Sequence, residues 1–150
     1  MKVGLIGGSF NPVHLGHLHL AEELYRTCSL DEVWFVLAKQ NPHKQGQPLL
    51  STTHRLAMLE LAIQDIAHFK LCDIECSREG PSYTYDTVVA LQKLYPENQF
   101  FLLLGDDCLE GLPRWYKIEE LLEVIPLYVA RRPGTSSTAL PPYIEQKVID

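Results

Sequence analysis

The chain has 150 residues, 46% of them hydrophobic and 21% charged. A length of this order builds one core of ordinary size and leaves no room for a second large domain, and the apolar content excludes intrinsic disorder. Thirteen lysines and arginines stand against 19 aspartates and glutamates, a net charge of −6, so no overall basic field draws the chain to nucleic acid or an anionic membrane. An anion would have to be held by a local site.

Residues 3–6 form a short apolar run ending in Gly7 and Gly8, and residues 16–24 place apolar side chains at Leu18, Leu20, Ala21 and Leu24, which predicts strand, glycine loop and helix. Residues 33–38 are a continuous apolar run rich in Val, Trp and Phe, the pattern of a strand covered on both faces. Thr52 or Thr53 is placed to cap the next helix, whose apolar positions Leu56, Leu59, Ala62 and Ile63 recur at three- and four-residue steps. A third strand is expected over 69–76, a helix over 84–95 ended by Pro96, and the strongest strand over 100–104, stopped by Gly105 and Asp106. Pro113 opens a predicted helix running to about Glu123, and residues 127–130 read as a fifth strand. Residues 135–142, rich in Ser, Thr and Pro, read as a loop.

Strands alternating with helices of this length predict an α/β fold: a doubly wound parallel sheet with helices on both faces. Ligands then sit beyond the carboxyl ends of the strands, where the connecting loops gather. No apolar run approaches the roughly 20 residues of a membrane span, and the N-terminus lacks a signal peptide's layout, so the cytoplasm is the expected location. Cys28, Cys72, Cys76 and Cys108 form no CxxC pair. The even spacing of Cys72 and Cys76 puts both on one side of the expected third strand. Small buried thiols are the expected role, with a zinc site as the alternative.

The loop after the first strand reads Gly7-Gly8-Ser9-Phe10-Asn11-Pro12-Val13-His14-Leu15-Gly16-His17, which is neither GxGxxG nor a phosphate-binding loop ending in GKS or GKT. A strand that runs through glycines into a helix start leaves backbone N–H groups and the positive end of the helix dipole facing one point, an arrangement suited to phosphate. Three residues apart, His14 and His17 share a face if both occupy the first helical turn, and either could donate to that phosphate in the neutral or the charged form.

This GGSFNPVHLGH segment resembles the HxGH signature of the nucleotidylyltransferase superfamily, whose Rossmann-like members transfer a nucleotidyl group from a nucleoside triphosphate. The wider chain, from Gly7 to Gly134, resembles the bacterial nicotinate-nucleotide adenylyltransferases of NAD synthesis. The resemblance implies adenylyl transfer from ATP to nicotinate mononucleotide, giving deamido-NAD and pyrophosphate. It places Gly8, Ser9, Phe10, His14, Gly16 and His17 at ATP, with His14, His17 and Lys44 as the catalytic groups and Mg²⁺ arriving on the ATP phosphates. Lys44 lies in Asn41-Pro42-His43-Lys44, similar to the family's NPPHK loop with one proline fewer. Gly105-Asp106-Asp107 is similar to the family's GxD, which implies that Gly105 and Asp107 meet the adenosine. Read alone, the paired carboxylates could hold a metal instead, although two neighbours seldom point at one ion.

Residues 79–87 resemble the family's GPSYTxDT, and Arg114-Trp115-Tyr116 its xWY. Together they imply a nicotinate-nucleotide site made by Ser82, Tyr83, Thr84, Trp115 and Tyr116, with the indole on the pyridine ring and backbone amides on the carboxylate. A pocket of N–H donors satisfies a carboxylate and leaves an amide NH₂ facing donors, so nicotinate is the expected form. Arg55, in a segment resembling the family's RxxML helix, is left undecided between core and site, as are Arg131 and Arg132 of an RRPG match. Family members carry a further strand and helix with ISSTxIR, a motif found nowhere in residues 1–150, so the single domain is expected to lack that strand and helix. Two other readings stay open: an adenylyltransferase with another acceptor, phosphopantetheine or nicotinamide mononucleotide, and a nucleotide-binding protein without catalysis. The expected partners are ATP and nicotinate mononucleotide, with no nucleic acid and no membrane, and self-association into a homo-oligomer is left open.

Overall fold

The computed structural model describes residues 1–10, 13–38, 50–77, 83–105, 111–130 and 148–149. In chain order it contains β1 (Lys2–Gly8), α1 (Leu15–Thr27), β2 (Glu32–Leu37), α2 (Thr52–Ile63), β3 (Phe69–Cys72), α3 (Thr84–Leu94), β4 (Gln99–Gly105), α4 (Ile118–Val124), β5 (Leu127–Ala130) and β6 (Val148–Ile149). The strands form one parallel sheet in the order β3-β2-β1-β4-β5-β6. Strand order reverses between β1 and β4, which makes the carboxyl ends of these two neighbouring strands the switch point at which ligands sit in sheets of this kind.

Two cores explain why the strands read as unbroken apolar runs. Along β4, Phe100, Leu102 and Leu104 face one core while Leu103 and Phe101 face the other, and β1 splits Val3 and Leu5 from Ile6 in the same way. The first core takes Val88 and Leu91 of α3 with Ile118, Leu121 and Leu122 of α4; the second takes Ala21 and Leu24 of α1 with Leu59 and Ile63 of α2. Each fully buried aliphatic side chain contributes about 1.5–3 kcal/mol to holding these layers together. Gly4 leaves room for the side chains of Leu30, in the connection after α1, and of Leu103 on β4, since a Cβ there would meet Leu30 Cδ1 and Leu103 Cδ1 at 2.7 Å.

The expected architecture holds, and its boundaries differ in five places. α2 is capped by Ser51, not by Thr52 or Thr53: Ser51 Oγ accepts from the His54 N–H at 3.2 Å. α1 continues past Leu24 to Thr27 and is closed by Ser29 in the left-handed conformation, φ 53°. The Ser29 and Leu30 N–H groups then return to the carbonyls of Arg26 and Tyr25, a closing pattern usually built on glycine. β3 stops at Cys72, and a 3₁₀ turn, Ile74–Ser77, takes up the rest of the expected 69–76 strand. Cys72 therefore packs against the first core and Cys76 against the second, which corrects the expectation that both share one side. The helix expected from Pro113 is a 3₁₀ turn, Leu112–Arg114, separated from α4 by Lys117 at φ 52°. Finally, Val148–Ile149 adds a sixth strand beside β5, too short to be legible as a pattern. The expected 135–142 loop lies outside the described residues.

Candidate active site

β1 ends in Gly7-Gly8, and the chain turns through Ser9 and Phe10 toward the start of α1. Phe10 adopts a left-handed φ of 44°, a conformation costing a non-glycine residue about 1–2 kcal/mol. Its ring is only 2% exposed and packs in the second core at 5.8 Å from Phe35. Burying a phenylalanine contributes about 1.5–3 kcal/mol, enough to offset the strain, so the ring's seat holds the turn. The Ser9 hydroxyl is buried in this turn with no hydrogen-bond partner among the described residues.

His14 is the N-cap of α1 and His17 is in its first turn, so the condition under which the two would share a helical face is not met. They meet all the same. The Gly16 N–H donates to His14 Nδ1 at 3.1 Å, and the His14 N–H donates to His17 Nδ1 at 3.1 Å. The rings stack with centroids 3.8 Å apart, and the rings of His17 and Phe10 meet in a T at 4.9 Å between centroids. A ring nitrogen that accepts a hydrogen bond carries no proton, so both imidazoles hold theirs on Nε2, the atom turned away from the backbone. Both rings are therefore set as Nε2–H donors. Gly16 belongs to this geometry, because a Cβ there would stand 2.8 Å from His14 Cε1 and 3.0 Å from its Nδ1.

Arg55, undecided in the sequence, is 1% exposed and reaches the same turn. Its Nη1 donates to the Ser9 carbonyl at 2.9 Å and to the Ala38 carbonyl at 2.6 Å, its Nε to the Leu50 carbonyl at 3.0 Å, and its Nη2 to Thr52 Oγ1 at 3.3 Å. Burial pushes the guanidinium below its ordinary value, with nearby Cys76 acting the other way. The signal that could have found it is spacing: Arg55, Leu59 and Ile63 recur every four residues and make up the buried stripe of α2.

A second cluster forms where α3 begins. Tyr83 is the N-cap and makes no side-chain capping bond, so the first-turn N–H groups of α3 are not closed off by it. The Tyr83 ring lies 4.6 Å from that of Tyr116, which joins the GPSYT and RWY segments in space. Trp115 packs half-buried against the first core, Tyr116 is 42% exposed, and Lys117 Nζ lies 5.1 Å over Tyr85 and 5.4 Å over Tyr116. Beneath them the buried Thr87 hydroxyl donates to buried Glu75 at 2.7 Å, fastening α3 to the 3₁₀ turn after β3. Glu75 and Lys117 were not singled out in the sequence, where each reads as an ordinary polar residue, and Thr87, the last residue of the GPSYTxDT match, was given no role there. Gly105 ends β4 at the same edge of the sheet. Lys44, Ser82 and Asp107 lie outside the described residues, as do Arg131, Arg132 and Cys108.

The cytidylyltransferase-like family model matches residues 5–149. The chain belongs to this family. Within it, the chain is 49% identical over 133 residues to a protein of Bacillus mycoides (strain KBAB4) named "Probable nicotinate-nucleotide adenylyltransferase". It is 50% identical over 133 residues to the protein of the same name from Bacillus cereus (strain AH820). Either match covers 89% of this chain and 70% of the relative. Two solved structures of the nicotinic acid mononucleotide adenylyltransferase of Plasmodium falciparum, one complexed with NaAD and one with APC, superpose with TM-scores of 0.80 and 0.78. At 22% identity, with 99% of this chain and 74% and 73% of theirs covered, they establish the shared fold. The Rossmann-like nucleotidylyltransferase architecture read from the HxGH segment is thus that of the family, and the family is one of nucleotidyl-transferring enzymes.

Proposed function

We propose that this chain transfers the adenylyl group of ATP to nicotinate mononucleotide, releasing pyrophosphate and forming deamido-NAD. The observation that carries this reading is the stacked His14–His17 pair, both Nδ1 atoms tied to the backbone, in a chain about half identical to relatives bearing that name. An oxygen of the mononucleotide's 5′-phosphate attacks the α-phosphorus of ATP in line. The new P–O bond forms as the bond to the bridging oxygen breaks, and pyrophosphate leaves with the electron pair. The attacking oxygen is already anionic, so no general base and no covalent nucleophile are required. The work is alignment, worth several kcal/mol, and neutralisation of developing charge by fixed donors.

His17 Nε2–H and the amides around Gly8, Ser9 and Phe10 are assigned to the α-phosphate, with His14, Gly16 and Lys44 on the triphosphate and Gly105 and Asp107 on the adenosine. Imidazole and amide donors suit phosphate oxygens, and no group of three His, Cys, Asp or Glu able to hold a metal occurs among the described residues. This donor set fits a Mg²⁺ held by the nucleotide itself, where it would neutralise phosphate charge. Ser82, Tyr83, Thr84, Trp115 and Tyr116 are assigned to nicotinate mononucleotide, with the N-terminus of α3, where Tyr83 makes no side-chain capping bond, facing the carboxylate. We place the reaction in the cytoplasm, carried out by a single domain on small molecules; no helix among the described residues is long and apolar enough to cross a membrane.

The test is pyrophosphate release with Mg-ATP and, in separate reactions, nicotinate mononucleotide, nicotinamide mononucleotide and phosphopantetheine. Release with the nicotinate compound, at least about 100-fold above the others in kcat/KM, is expected from a donor-lined carboxylate site. Preference for another acceptor would overturn the proposal. His17→Ala is expected to lower turnover by about 10²–10³ while the melting temperature stays nearly constant, and normal turnover in that folded variant would remove His17 from its role.

A further inference from the structure

The parallel ladder between β1 and β2 ends with the Ala38 N–H donating to the Gly8 carbonyl at 2.8 Å. The ladder stops there, and the next carbonyls, of Ser9 and Ala38, have no ladder partner across the gap among the described residues. The planar fork of Arg55 closes it, with Nη1 bonding both oxygens. The other two nitrogens of the guanidinium fix it to the entrance of α2, at the Leu50 carbonyl and Thr52 Oγ1. Four chain positions are thereby set by one side chain. One of them, Ser9, immediately precedes strained Phe10, whose ring stands in T-shaped contact with that of His17.

We infer that Arg55 is a positioning residue for nucleotidyl transfer: it fixes the Ser9–Phe10 turn, and through it the direction in which His17 Nε2–H points. This rests on the proposed reaction for its kinetic consequence but not for its structural one. Arg55 touches no reacting atom. A lysine keeps the charge and offers no planar fork, so it cannot bond the Ser9 and Ala38 carbonyls while also reaching Leu50 and Thr52.

The experiment compares wild type, Arg55→Lys and Arg55→Met by kcat and KM for Mg-ATP and for nicotinate mononucleotide, by thermal melting, and by the imidazole ¹⁵N shifts of His17. Folded Arg55→Lys is expected to lose about 30- to 100-fold in kcat, to keep the mononucleotide KM within twofold, and to show His17 shifts moved toward a mixture of tautomers. A folded Arg55→Lys with kcat within twofold of wild type and unchanged His17 shifts would overturn the inference, since a role confined to stability moves neither once the protein is folded. If neither variant folds, Thr52→Val decides: it removes one acceptor of the fork, and a fall of several-fold in kcat at unchanged melting temperature supports the inference, whereas unchanged kcat overturns it. If the wild-type chain releases no pyrophosphate with any acceptor, the proposed reaction fails, and the ¹⁵N shifts still judge Arg55.

Discussion

His14 and His17 show how one spacing serves two purposes. Each imidazole accepts a backbone N–H at Nδ1, as a capping carboxylate or hydroxyl would, and thereby keeps its proton on Nε2. The glycine between them is required by the ring of His14, whose Cε1 would lie 2.8 Å from an added Cβ. Gly16→Ala is a helix-favouring change worth about 0.5–1 kcal/mol in propensity, so it separates stability from activity. Its melting temperature is expected to change by no more than a few degrees while kcat falls at least about tenfold, because His14 must rotate and its stack on His17 opens. Calorimetry and pyrophosphate release on the same sample check both halves. At this scale the histidines, Gly16 and the glycine turn were legible because they cluster in one segment. Arg55 was not, since a single arginine in an apolar helix has two meanings until its acceptors are known.

Among the elements, the starts of helices carry most of the site. The N-terminus of α3 is positioned by Thr87, whose hydroxyl bonds the buried Glu75 carboxyl across to the turn after β3. Thr87→Val keeps the shape and removes the donor, leaving a buried carboxyl oxygen short of one hydrogen bond at a cost of about 1–3 kcal/mol. The expected result is a lower urea midpoint together with a mononucleotide KM raised several-fold and an ATP KM left unchanged; equal changes in both would place the bond's effect elsewhere. The end of α1 gives an opposite case. Ser29 sits at φ 53° in a closing turn that favours glycine, so Ser29→Gly is expected to stabilise the protein by up to about 1 kcal/mol, read as a higher melting temperature. The GPSYT segment reads as a turn before a helix and RWY as part of a helix opened by Pro113, and nothing local says that Tyr83 and Tyr116 touch.

The molecule as a whole is two apolar layers either side of one sheet, and half-buried cysteines line both. Burial pushes the Cys72 thiol up, with the Asp73 and Glu75 charges adding to the effect and the Ile74 N–H opposing it; burial likewise raises Cys28, with Lys2 opposing. For an acid whose folded value is raised, the folded and unfolded chains bind the proton equally below the ordinary thiol range. Above that range the unfolded chain releases it first, and stability falls as the pH rises. Urea midpoints measured from pH 7 to 10 should therefore decline at the alkaline end, and Cys72→Ser combined with Cys28→Ser should flatten the decline. An unchanged slope in that double variant would assign it to other groups.

The sequence by itself determined the succession of strands and helices, the parallel sheet and the place of the glycine turn, because apolar periodicity, glycines and helix starts are local signals that survive in a linear string. Only the tertiary structure decided which nitrogen of each histidine donates, which oxygens the Arg55 fork joins, on which sides Cys72 and Cys76 lie, and that Tyr83 meets Tyr116. Each of these depends on groups from separate elements arriving at one point, and that convergence is set by how the layers pack.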